Sequence, residues 1–145
     1  MGAGGRKGTE MRTIVKRGKG QALVEFALLL PVFLLMVVGV AEFGRAWMTK
    51  NILTGAAREA VRAAAVEVQA NAYTSAKTIA DGILASASIP VALQPGDFDD
   101  TQNNPPRVTV TISYNYPLFL TGFIPGLPGS AITLEGTATM RRERY

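Results

Sequence analysis

The sequence predicts an α+β protein: a long N-terminal helix, transmembrane and then amphipathic, followed by a short second helix and a small antiparallel β-sheet. Three observations predict it. Residues 26–41 carry no charged side chain. Apolar residues then recur at spacings of three and four between positions 53 and 68. Finally, residues 107–114 and 131–140 alternate between apolar and polar, the period of a strand with one buried face.

The first twenty residues are rich in Gly and basic side chains, with too little apolar content for a core. Arg6, Lys7, Arg12, Lys16, Arg17 and Lys19 are opposed there only by Glu10. The formal net charge of +4 therefore resides in this leader, because acids slightly outnumber bases from Gln21 onward. A nucleic-acid partner loses its support once the basic charge is localised this way. A basic segment directly before an apolar run instead marks the side of a membrane that stays cytoplasmic.

Residues 21–44 form the apolar segment. At about 1.5 Å per residue a helix of this length covers roughly 35 Å, enough for a hydrocarbon core of roughly 30 Å. A secretory signal has a shorter apolar stretch and a small-residue cleavage site at its end. Here the stretch continues into another helical pattern, which reads as an anchor. Pro31 removes one backbone donor inside the span and is expected to loosen the helix near 27–31. Phe43 and Trp47 follow the span, where aromatic rings sit at the membrane interface.

Residues 45–70 continue the helix. Leu53, Ala56, Ala57, Ala60, Val61, Ala64 and Val68 make one stripe, with Arg45, Lys50, Arg58, Glu59, Arg62 and Glu67 mostly off it. A second helix is expected at about 72–86, with Ala72, Tyr73, Ala76, Ile79, Ala80 and Ile83 on its inner face. Residues 90–106 hold four prolines with Gly96, Asn103 and Asn104, and read as turns and loop. In the 107–114 strand Val108, Val110, Ile112 and Tyr114 face one way. In the 131–140 strand Ile132, Leu134, Ala138 and Met140 do. A third strand is expected near 89–93. The connection over 116–130 is apolar and broken by Pro117, Pro125 and Pro128; its 117–127 part reads as a lid over the domain's own helix, with an exposed partner surface as the alternative.

The chain has no cysteine and no histidine. Disulfides, thiolate metal sites and a histidine general base are thereby excluded. No nucleophile elbow, phosphate loop or metal motif is present, so neither an enzyme nor a cofactor is expected. Asp97, Asp99 and Asp100 lack the spacing of a calcium loop and read as a solvated turn.

The informative constellation is Gly20, Gln21, Glu25 and Phe26. A carboxylate one turn into an apolar span is costly and is a functional candidate by default. Cleavage between Gly20 and Gln21 would create a partner for it, the new α-amine of Gln21, one helical turn away in the same or a neighbouring chain. The simpler alternative is a helix-end carboxylate that snorkels into the headgroups.

This run, followed by the apolar span and by Ala56-Ala57-Arg58-Glu59-Ala60, resembles the TadE-like proteins. These are minor pilins or pseudopilins of the tight-adherence (Tad/Flp) type IV pilus system. The Thr137-Ala138-Thr139-Met140 segment near the C-terminus is similar to that family as well. The resemblance implies a pilin-like fold and a prepilin peptidase that cuts between Gly20 and Gln21. It also implies that Glu25 and Phe26 serve recognition or assembly, and that the N-terminal helix meets other pilins and membrane lipid. The chain departs from type IV pilins in starting its mature part with Gln21, where Phe or Met is usual. It departs from the small Flp pilins in Phe26, where Tyr is usual, and in its larger globular part.

The expected organisation is a cleaved cytoplasmic leader (1–20), a transmembrane helix (21–44) and an extracytoplasmic α+β domain (45–145). The protein would lie in the cytoplasmic membrane as a single pass, N-terminus inside, and after assembly in a surface pilus. Two other fates stay open on the residues alone. One is a signal-anchored extracytoplasmic binding domain that is never cleaved; the other is a secreted protein cut near the far end of the apolar run.

Overall fold

The computed structural model describes residues 17–103, 105–119 and 131–142. Most of the expected leader and most of the 116–130 connection lie outside the described residues. The elements are α1 (Arg17–Val66), α2 (Gln69–Ser86), a 3-10 turn (Pro95–Asp97), β1 (Phe98–Asn103), β2 (Pro106–Pro117) and β3 (Ala131–Arg141). The chain divides into two compact units, Met1–Val37 and Val38–Tyr145.

In the first unit every described side chain from Gly20 to Val37 is exposed; Leu28, for example, is 71% exposed. The most apolar 18-residue window of α1 has a mean hydropathy of 2.6, and none of it is buried. A helix apolar all round and bare all round is unfavourable in water and suits a hydrocarbon solvent. Among the described residues, α1 is the helix long and apolar enough to cross a membrane by length and composition. Pro31 lies inside it.

The second unit is built on the later part of α1. Leu53, Ala56, Ala57, Ala60, Val61 and Ala64 are fully buried, and α2 adds Ala72, Ala76, Ala80 and Leu84 to the same core. The expected stripe therefore holds up to Ala64. Val68 does not belong to it: α1 ends at Val66, and Val68 is exposed and extended (φ −66°, ψ 150°) as the residue before α2. No Gly or Pro forces that break. An unbroken helix through residue 70 could not return the Ala72/Ala76/Ala80/Leu84 face onto Leu53 and Ala64, so burial overrides local propensity. On α2 the inner face is an i, i+4 row. Leu84 replaces Ile79, which is 41% exposed, while Tyr73 and Ile83 flank the row half-buried.

The end of α2 is a Schellman motif. The Ile89 amide donates to the Leu84 carbonyl and the Ser88 amide to the Ala85 carbonyl, both at 3.0 Å. Ser88 sits at φ 57°, and Leu84 and Ile89 are both buried beside the turn.

The sheet has the order β1-β2-β3, all antiparallel. Its third strand is Phe98–Asn103, inside the stretch expected to be loop, and not 89–93. Segment 89–93 is irregular, although Ile89 and Leu93 are buried in the core. The turn-forming residues of 95–106 build a short edge strand because Phe98 packs inward and the pairing with β2 is interrupted by a bulge between Asp99 and Gln102. In β2, Val108, Val110 and Ile112 are fully buried and Tyr114 half-buried, as alternation predicts. In β3, Leu134 and Ala138 are half-buried. Ile132 and Met140, at the strand ends, are exposed. Between them Gly136, paired with Ile112, lies against the α1 backbone at Leu53 and Thr54. The other face carries cross-strand threonine pairs, Thr109 with Thr139 at 2.9 Å and Thr111 with Thr137 at 3.2 Å.

Candidate functional site

Gly20, Gln21, Glu25, Phe26 and Pro31 all lie on the exposed first part of α1, brought together by helix periodicity alone. Because α1 starts at Arg17, the peptide bond between Gly20 and Gln21 falls about one turn inside the helix. That turn has no acidic residue to favour its positive end, and Gly18 and Gly20 are poor helix formers. Gln21 and Glu25 face each other one turn apart, the Gln21 side-chain amide donating to the Glu25 carboxylate at 3.1 Å. Glu25 thus pairs with the Gln21 side chain; the α-amine expected as its partner would exist only if the chain were cut between Gly20 and Gln21. The i, i+4 spacing allows such an amide–carboxylate pair. Phe26 is 63% exposed beside it. The group holds no nucleophile and no proton-transfer pair. What it offers is one charge and one aromatic ring on an apolar surface.

Two further clusters lie in the second unit and escaped the sequence reading. Glu42 is buried and its carboxylate accepts a hydrogen bond from the Phe119 backbone amide. Phe43 and Trp47 stack next to it with ring centroids 6.1 Å apart. The signal in the sequence was that Glu42 is the first charge after the uncharged run over 26–41.

The other cluster clamps segment 89–93 to α2. Asp81 accepts from the Leu93 amide and from the Lys77 ammonium, both at 2.8 Å; Lys77 also donates to the Leu93 carbonyl at 2.9 Å. The Tyr73 hydroxyl donates to that carbonyl at 3.3 Å. Partial burial on its own would raise the Asp81 carboxyl, but the hydrogen bonds from Lys77 and Leu93 outweigh it and hold Asp81 below the usual Asp range. The hydrogen bond to Asp81 holds Lys77 above the usual lysine range against its desolvation.

The acidic turn is occupied by local bonds. Asp97 accepts from the Gln94 amide at 3.1 Å, and Asp99 accepts from the Thr101 amide and hydroxyl at 2.9 and 2.7 Å, holding the bulge. Asp100 faces the buried Arg142 at 3.6 Å.

Residues 20–62 match the model of the TadE-like protein family. Residues 45–138 match the model of the Tad-like Flp pilus-assembly family, which covers more than half of the chain. No curated protein and no solved structure matches it. The two matches overlap along α1 and together run from the Gly20 end of the apolar helix to the last strand. The chain belongs to the Tad-like Flp pilus-assembly family, TadE-like over its N-terminal helix, and its role is in the assembly of a Tad/Flp pilus.

Proposed function

We propose that the protein is a minor pilin or pseudopilin: a prepilin peptidase removes residues 1–20, and the mature chain joins a Tad/Flp pilus or its assembly base through its apolar helix. The observation that carries this reading is the Glu25 carboxylate, one helical turn after Gln21. It stands one turn into an otherwise apolar helix, behind a basic leader, in a chain of the pilus-assembly family. Cleavage exposes a positive amine one turn from a carboxylate that is expensive to keep in lipid. Pairing offsets part of that cost only when the geometry is good. Between neighbouring helices the same pair sets axial register. The leader stays cytoplasmic and residues 45–145 lie outside, as positive charge before the span directs. The partners are therefore the peptidase, other pilins of the same system and membrane lipid. The protein itself does no chemistry in this reading.

The test is the intact mass and N-terminus of the protein from membranes of cells with and without the peptidase. The expected form begins at Gln21 in peptidase-containing cells only, and Gly20→Leu abolishes it. An N-terminus at or near Met1 in both strains overturns the reading in favour of an uncleaved anchor. Loss of the whole apolar helix overturns it in favour of a secreted protein.

A further inference from the structure

We propose that Leu118 and Phe119, where the chain leaves β2, form a lipid-contacting element seated in the outer headgroup–acyl boundary of the bilayer and held there by Glu42. The inference rests on the anchoring proposed above.

Glu42 closes the uncharged run over 26–41, so its carboxylate marks where the apolar part of the helix stops. It is only 7% exposed, and it accepts the Phe119 amide. Irregular backbone near membrane depth is tolerated only if its polar groups are satisfied, since each orphaned group costs several kcal/mol in hydrocarbon. A carboxylate at this level does that for the Phe119 amide, which explains a buried acid at the end of an apolar helix. The side chains around it have the composition of an interface. Phe119 is 60% exposed, and Phe43 and Trp47, which follow Glu42 on α1 and stack on each other, are exposed as well. Arg45 and Lys50, also exposed, are the first cations after the run, placed to meet anionic headgroups. In water these rings would be a bare apolar patch; at a bilayer surface they bury it. The hydrogen bond to Glu42 thus sets the depth at which the end of β2 meets lipid.

The absence of cysteine makes single-cysteine spin labels clean. Phe119→Cys, Val32→Cys and Ser113→Cys are labelled in the full chain in vesicles of phosphatidylethanolamine and phosphatidylglycerol. Relaxation by oxygen is then compared with relaxation by a water-soluble nickel chelate. The nitroxide, itself an apolar ring, stands in for the phenyl group. The expected result is a label at 119 severalfold more accessible to oxygen than to nickel, shallower than the label at 32, with the label at 113 fully aqueous. Adding Glu42→Ala moves only the 119 label toward water, while Glu42→Gln, which keeps an acceptor, leaves it in place. If Glu42→Ala does not fold, the depth of the 119 label in the parent and in Glu42→Gln, read against the labels at 32 and 113, carries the test alone: both are expected lipid-exposed, and an aqueous 119 label overturns the proposal. An aqueous 119 label beside a lipid-exposed 32 label overturns the proposal and leaves the anchor intact. A 119 label shielded from both reagents, with spin–spin broadening, assigns the surface to another protein and also overturns it. An aqueous 32 label removes the anchor, and the proposal with it.

Discussion

A β-carbon at Gly136 would sit 2.4 Å from the Leu53 carbonyl carbon and 2.4 Å from the Thr54 nitrogen. Both are helix backbone atoms and cannot swing aside as a side-chain end would. Gly136→Ala must therefore push β3 away from α1, at a cost of about 1–3 kcal/mol typical of overpacking. Thermal melts of the full chain in detergent check this against Gly82→Ala. That exposed mid-helix site has open space around it, and alanine there is expected to stabilise by about 0.5–1 kcal/mol. A loss at position 136 no larger than a few tenths of a kcal/mol would mean that the strand and helix do not touch as described. The need for glycine here was not legible in the sequence. Alternation marks position 136 as inward-facing, but the atom that excludes a methyl group belongs to Leu53, far away in the chain. Glu42 escaped for the same reason, since its donor is the backbone of Phe119. Glu25, by contrast, stands out in the sequence as a carboxylate inside an apolar run, although the partner expected for it is the Gln21 α-amine and the structure shows the Gln21 side chain.

At the level of elements, the clamp of Tyr73, Lys77 and Asp81 on Leu93 replaces the strand expected at 89–93. The segment is apolar enough to be buried, but its Leu93 backbone groups are satisfied by α2 side chains and its Ile89 and Val91 amides by nearby carbonyls, not by a ladder. Periodicity cannot register that difference, because Ile89 and Leu93 end up inside either way. The same limit hid β1, whose Pro, Asn and Asp content describes its turn and bulge better than its pairing. Alternation read the long strands β2 and β3 well because each has one wet face. The clamp makes a pH prediction. Asp81 titrates lower in the folded state than in the unfolded chain, so its contribution is full above the unfolded value, near 4, and disappears as pH falls through the folded value. Lys77 titrates higher when folded, so its contribution is full at neutral pH and fades only as pH rises through that raised value. Asp81→Asn should thus lower the melting temperature at pH 7 and flatten its decline in acid, the gap between the two proteins narrowing as pH falls through the folded Asp81 value. Parallel acid curves for the two would mean that Asp81 carries no folding-linked proton.

For the whole molecule, the division of labour follows from where charge is placed. The second unit hides its apolar stripe under α2 and a sheet, so it needs no partner for that surface. The first unit leaves an apolar helix bare from Gly20 to Val37, with Glu25 its only acid. In the proposed anchor, lipid satisfies the apolar surface but not the carboxylate, so Glu25 should matter for assembly and little for folding or insertion. At an effective dielectric of about 20, an amine and a carboxylate 4 Å apart attract by about 4 kcal/mol, before the cost of desolvating them. Glu25→Gln keeps the size and an acceptor while removing that attraction. The expected outcome is normal membrane insertion, a mature N-terminus still at Gln21, and piliation reduced by about tenfold or more, the effect of losing roughly 1.4 kcal/mol at each register-setting contact. Gln21→Ala, which deletes only the side-chain bond at 3.1 Å, should process and assemble nearly as the parent does. Counting surface pili beside the mass of the mature chain separates the two steps. If Glu25→Gln cells are fully piliated, the carboxylate is a headgroup-seeking helix end, and register must be set by the apolar surface itself.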